Sequence, residues 1–200
     1  MIPPAVAAAS SDILKFLITC YRNERGVHAE TIIGAAAALA GESALRAAEP
    51  ELPESGWVVS EKTSGLLFGD HARGQVGLWD ILREGAVKAG AGAADLPDPA
   101  EVTARTAEAV GGSPFPPISV PERHYPHEWS PNACPRLRDG IEQIFADHGL
   151  EAADMAKAVV LAIVLLINQT KGVLPPGIAA TLALEVMVGV THMAPLREPV

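Results

Sequence analysis

Apolar positions along this chain recur mostly at a helical spacing. Ser10, Ser11 and Asp12 stand where a helix cap belongs. Ile13, Phe16, Leu17, Cys20 and Tyr21 follow at i, i+3, i+4, i+7 and i+8. The pattern predicts a first helix from about residue 12 with one buried face, preceded by a loose arm over residues 1–9. The polar run 22–25 and Gly26 end it. A second helix is expected from about His28 to Ala48, where Gly34, Ala38 and Gly41 lie in an alanine tract. Glycine inside a helix costs about 1 kcal/mol relative to alanine. Small residues three and four apart, however, make a flat face that lets another backbone approach closely, within the chain or across a dimer.

Pro50 and Pro53 stop the second helix. Trp57, Val58 and Val59 form one β-prone run and Leu66, Leu67 and Phe68 another, with a polar connector holding Gly65 between them. This predicts a small β-hairpin over about 57–68, one that must lie on the helices because a lone hairpin is marginal in water. Further helices are expected at about 74–89, 99–110 (Asp98 capping, Pro99 at the first helical position), 135–148, 151–171 and 176–192. Gly172, Pro175 and Pro176 separate the last two, which should pack as an antiparallel αα-hairpin. Residues 111–131, GGSPFPPISVPERHYPHEWSP, form a long proline-rich loop; Phe115, Ile118, Val120, Tyr125 and Trp129 predict that it packs on the core. The expected fold is mainly α: a single soluble bundle-like domain over 1–200, with about six to seven helices and one small hairpin.

Residues 158–167 read AVVLAIVLLI. A helix that is apolar all round must be enclosed all round, by protein or by lipid. The uncharged stretch between Lys157 and Lys171 spans only roughly 20 Å as a helix, against a hydrocarbon core of about 30 Å. It is therefore read as the central helix of a soluble domain, although mean hydropathy is high at +0.21.

Composition narrows the function. Hydrophobic residues are 48% of the chain and aromatics 4%. The core is alanine-rich, and small side chains bury little area each, so a partner subunit would help it. The chain is acidic, with a net charge of −9 and a pI near 5.1. That argues against nucleic acid and against an anionic membrane surface. The densest basic pair, Arg136 and Arg138, is isolated apart from Arg123. Cys20 and Cys134 make no disulfide framework, and the N-terminus has no basic region ahead of an apolar run. A reducing, cytoplasmic location is expected.

Four groupings could carry chemistry. His124, His127, Glu128 and Cys134 include metal-ligand types, but a closed zinc site needs a further ligand and Pro126 interrupts the helical presentation. Asp70, beside His71 on a turn, is read chiefly as a cap. Glu185, alone in an apolar run, shares a helix face with Thr181 and His192 and is expected to leave a narrow polar edge toward solvent or a partner. Glu30 suits a helix N-terminus, with His28 neutral near the capping position. There is no GxGxxG, no GxxxxGK[ST], no GxSxG and no calcium loop. No catalytic set, metal site or cofactor is implied. The expectation is a non-catalytic protein that acts through a homo-oligomeric, most simply homodimeric, or partner-binding surface. The alternative is a small-molecule or metal site built from Asp70, His124, His127, Glu128 and Trp129, where the 119–134 loop meets the Asp70 turn.

Overall fold

The computed structural model describes residues 2–200. Helix α1 runs Pro4–Tyr21. It begins well before Ser10, because Pro4 fixes the backbone angle that a first helical turn needs. Val6 and Ala9 extend the buried stripe of Ile13 and Leu17 backward by i−4 and i−7 from Ile13. Most of the expected arm is therefore helix; its alanines gave too little contrast to show a face. Helix α2 (Ala29–Ala48) follows, with His28 as its cap residue.

The hairpin lies elsewhere than at 57–68. Residues Glu61–Phe68 form helix α3, nucleated by the Ser60 hydroxyl, which accepts the Thr63 N–H at 3.0 Å. Thr63 and Leu67, four apart, are its buried face. Trp57 instead makes an antiparallel bridge to Met193, flanked by the bonds Val58 N–H to His192 O and Ala194 N–H to Gly56 O, both 2.9 Å. The actual ladder is two residues long, β1 (Gly69–Asp70) against β2 (Gln75–Val76). Gly69 has φ +71°, and a Cβ there would sit 2.3 Å from the Gln75 carbonyl oxygen, so only glycine fits. Ser60 was the missed signal: a capping serine outweighed the β-prone residues after it.

Helices α4 (Leu78–Ala89), α5 (Pro99–Ala109), α6 (Ala133–Asp147), α7 (Ala152–Thr170) and α8 (Pro176–Val190) complete eight α-helices among the described residues. The fold is mainly α with one small hairpin. Its axis is α2, whose broadest contacts are with α7 and α8. The short connection 171–175 joins α7 to α8, but each packs more on α2 than on the other. Ala35–Ala38 and Ala40 are wholly enclosed. The small-residue face is filled from within the chain: Gly34 meets Pro126 and Ser130, and Gly41 meets Met187 and Val190.

The helix enclosed on nearly every side is α8, where Leu182 to Val190 are all buried. In α7, Leu161, Val164 and Leu165 are only half-buried, on the side where Asp154, Lys157 and Asn168 also lie. By length and composition α7 is the one described helix that could cross a membrane; here its inner faces pack on α1, α2 and α4.

Candidate functional site

The irregular stretch 111–131 is held down by polar side chains from four helices. Glu185 of α8 is fully buried, not on a wet edge. It accepts the Ser119 N–H and the Ser119 hydroxyl, each at 2.6 Å, and the Arg105 guanidinium of α5. All three neighbours are donors, which is what a desolvated carboxylate requires. Farther along, the backbone N–H of His127 donates to the Thr31 hydroxyl of α2 at 2.9 Å. Glu128 accepts from Tyr21 of α1 and takes two further bonds from Arg136 of α6, at 2.7 and 3.0 Å. The Arg136 guanidinium also lies 5.1 Å over the Tyr21 ring. Burial first, then the bond and charge of Glu128, push the Tyr21 phenol far above its ordinary range. It stays a neutral donor.

These anchors separate the residues that the sequence grouped together. His124 turns toward α2, its Nδ1 2.8 Å from a Glu30 carboxylate oxygen. His127 stacks on His28, with ring centroids 3.6 Å apart. Glu128 is spent in the Tyr21–Arg136 lock. Asp70 takes no part: its carboxylate accepts the Arg73 N–H at 3.2 Å and caps the 3-10 turn His71–Arg73. Among the described residues no three His, Cys, Asp or Glu side chains converge on a common metal position. Trp129 alone of the five lines a cavity. Its indole N–H donates to the Phe115 carbonyl oxygen, which sets the ring along one wall.

That cavity is an open cleft of about 670 Å³ between residues 54–57, 112–115 and 193–197. Its apolar walls are Trp57, Phe115, Trp129, Pro114 and Leu196. Trp57 meets Phe115 edge to face, centroids 4.7 Å apart at 73°. At the mouth Arg197 pairs with Glu54 at 2.6 Å, both side chains mostly in water. The third wall, 193–197, is itself strapped down: Arg138 of α6 donates to the Leu196 carbonyl at 2.7 Å while gripping both oxygens of the buried Glu42 of α2, at 2.7 and 3.0 Å. That bidentate bond raises the Arg138 pKa against the opposing effect of its burial. Beside it, burial and the Glu42 charge drive the Cys134 thiol well up, so it is an inert core group.

Sequence reasoning missed Trp57, read as strand, and the 193–197 strap, which carries no motif. Scarcity was the available signal: of nine aromatic residues (three Trp, two Tyr, four Phe), three meet here. Trp57 is 42% exposed, whereas Trp79, on α4, is 3% exposed and belongs to the core. Trp57 thus adds a half-open aromatic face to the cleft.

No family model matches the sequence, and comparison with curated proteins and with solved structures gives no significant match.

Proposed function

We propose that this is a soluble, cytoplasmic, non-catalytic binding protein whose product is an occupied cleft. Its ligand is a flat, largely apolar small molecule held between Trp57, Phe115 and Trp129. The observation that carries this reading is the convergence of those three rings, with Pro114 and Leu196, on a cavity within the roughly 300–1,000 Å³ range of small-molecule sites. Neither nucleic acid nor a membrane surface suits an acidic chain of net charge −9. Self-association through the Gly34 and Gly41 face is not part of the proposal, because Ser130, Pro126, Met187 and Val190 already occupy it.

N-phenyl-1-naphthylamine, a neutral planar dye, tests the cleft. It is expected to bind with a dissociation constant of about 200 μM or tighter, taking about 0.3 kcal/mol per heavy atom. Trp57→Ala is expected to weaken it about 3–10-fold, the equivalent of roughly 0.5–1.5 kcal/mol for one aromatic contact. Val59→Ala, outside the cleft and 92% exposed, should leave binding unchanged. Dye binding that survives loss of both Trp57 and Trp129 in a folded protein would place the ligand elsewhere.

A further inference from the structure

The loop that carries Trp129 meets the N-terminus of α2 through three histidines, and the cap at His28 works only while that ring is neutral. His28 stands at the cap position. Its Nδ1 lies 3.3 Å from the Thr31 N–H and 2.8 Å from the Thr31 hydroxyl. The Thr31 N–H can only donate, so Nδ1 is its acceptor and the Thr31 hydroxyl, which also accepts the His127 N–H, turns its proton to the same nitrogen. Nδ1 therefore carries a lone pair and Nε2 the proton, the latter 3.3 Å from Glu30. The His127 ring lies face to face on His28, at 3.6 Å and 18°. His124 repeats the logic: Nδ1–H donates to Glu30, and Nε2 accepts from the Arg123 Nε–H at 3.2 Å.

We propose that this cluster is an acid-released latch: protonation of His28 uncaps α2, repels His127, frees the segment carrying Trp129 and so lowers the occupancy of the aromatic cleft. The regulatory claim rests on the cleft reading above. A proton on His28 Nδ1 takes the acceptor from the Thr31 N–H and forces the Thr31 hydroxyl to reverse from donor to acceptor. It also puts a cation at the positive end of a helix, where the dipole disfavours it.

The charged and titratable groups facing the stack are Glu30 from α2, with Arg123, His124 and His127 from the loop. Glu128, next along, is neutralised by Arg136 of α6 and bonded by Tyr21 of α1.

Burial holds the His28 pKa below its ordinary 6.5; Glu30 pulls it back up and His127 pushes it further down. The latched form takes its proton later than the free ring. The latch is therefore intact above about pH 6.5 and weakens as the pH falls below that value. Burial works to raise the Glu30 pKa, but the His124 bond, a backbone N–H and the charge of His28 outweigh it and hold the group below 4.5. Glu30 stays ionised through the window in which His28 changes.

Two readouts test this on the full chain at about pH 7.5 and about pH 5.5. The first is backbone hydrogen exchange over 119–134, corrected for the intrinsic pH dependence of exchange. The second is the affinity for N-phenyl-1-naphthylamine, whose own charge does not change in this range. Wild-type protein is expected to lose loop protection at the lower pH and to bind the dye roughly fivefold or more weakly. His28→Asn keeps a capping acceptor that takes no proton; it should hold both readouts flat, and His127→Gln should blunt both. Identical pH profiles in wild type and His28→Asn overturn the latch. Loop exchange that responds while dye affinity does not overturns its control of the cleft. A failure of the dye to bind at the higher pH refutes the cleft reading, and exchange alone then decides the latch.

Discussion

Glu185→Ala is expected to destabilise the protein by about 3 kcal/mol, the low end of what removing one partner from a buried ion pair costs. For a chain of this size that lowers the melting temperature by roughly 6–12 °C. The low end applies because the Arg105 side chain is 39% exposed and can recover some hydration, whereas Glu185 has no exposure at all. The Ser119 N–H and hydroxyl then lose their acceptor together, and that term is independent of Arg105. Glu185→Gln separates shape from charge. Its amide nitrogen must face Arg105 or Ser119, both of which donate to this position, so the isosteric change should still cost about 1–3 kcal/mol. Urea unfolding followed by circular dichroism reads both. A Glu185→Ala midpoint equal to wild type would mean that the carboxylate is not the tie between α8 and the loop. A double-mutant cycle with Arg105→Ala apportions the pair, since Arg105 alone among the donors can be truncated without touching Ser119.

The second large effect reverses a sign. In an isolated helix Gly→Ala is stabilising by about 1 kcal/mol. At Gly41 the added Cβ would fall 2.5 Å from the Met187 carbonyl oxygen and 3.1 Å from the Val190 Cβ. A backbone oxygen inside α8 cannot rotate aside, so α2 and α8 must separate. Overpacking of this kind costs about 1–3 kcal/mol. Gly41→Ala is therefore expected to destabilise by up to about 2 kcal/mol net, and Gly41→Leu by more than about 3 kcal/mol. Gly65 is the control: it sits in α3, and a Cβ there meets nothing within 4 Å. Gly65→Ala should stabilise by about 0.5–1 kcal/mol. Denaturant midpoints that move the same way at both positions would mean that helix propensity, not interhelix distance, governs Gly41.

Periodicity carried most of the fold. Helices α2, α5, α6, α7 and α8 lie where apolar spacing and proline put them. The departures have local reasons: Pro4 is preset for a first turn and starts α1 early, the Ser60 cap makes a helix from Glu61 where a hairpin was expected, and pairing of Gln75–Val76 with β1 delays α4 from about residue 74 to Leu78. The site was far less legible. Trp129 was recognisable as an aromatic in a long loop. Nothing in residues 124–128 distinguishes an anchor from a ligand contact, since that depends on Glu30, Tyr21 and Arg136, which approach from three other helices. Glu185 shows the limit most plainly. Its spacing with Thr181 and His192 looks like a wet edge, and only donors from Arg105 and Ser119, eighty and sixty-six positions away, make burial tolerable. Long-range charge compensation has no signature at helical spacing.

The central place of α2 has a consequence for biosynthesis. Its two main partners, α7 and α8, begin more than a hundred positions after it ends. At about 5–20 residues per second of translation, a nascent chain holds this greasy, alanine-lined rod uncovered for roughly 5–20 s before either partner leaves the ribosome. Docking of α7 and α8 on α2 therefore comes late in synthesis, after everything through α6 has already emerged.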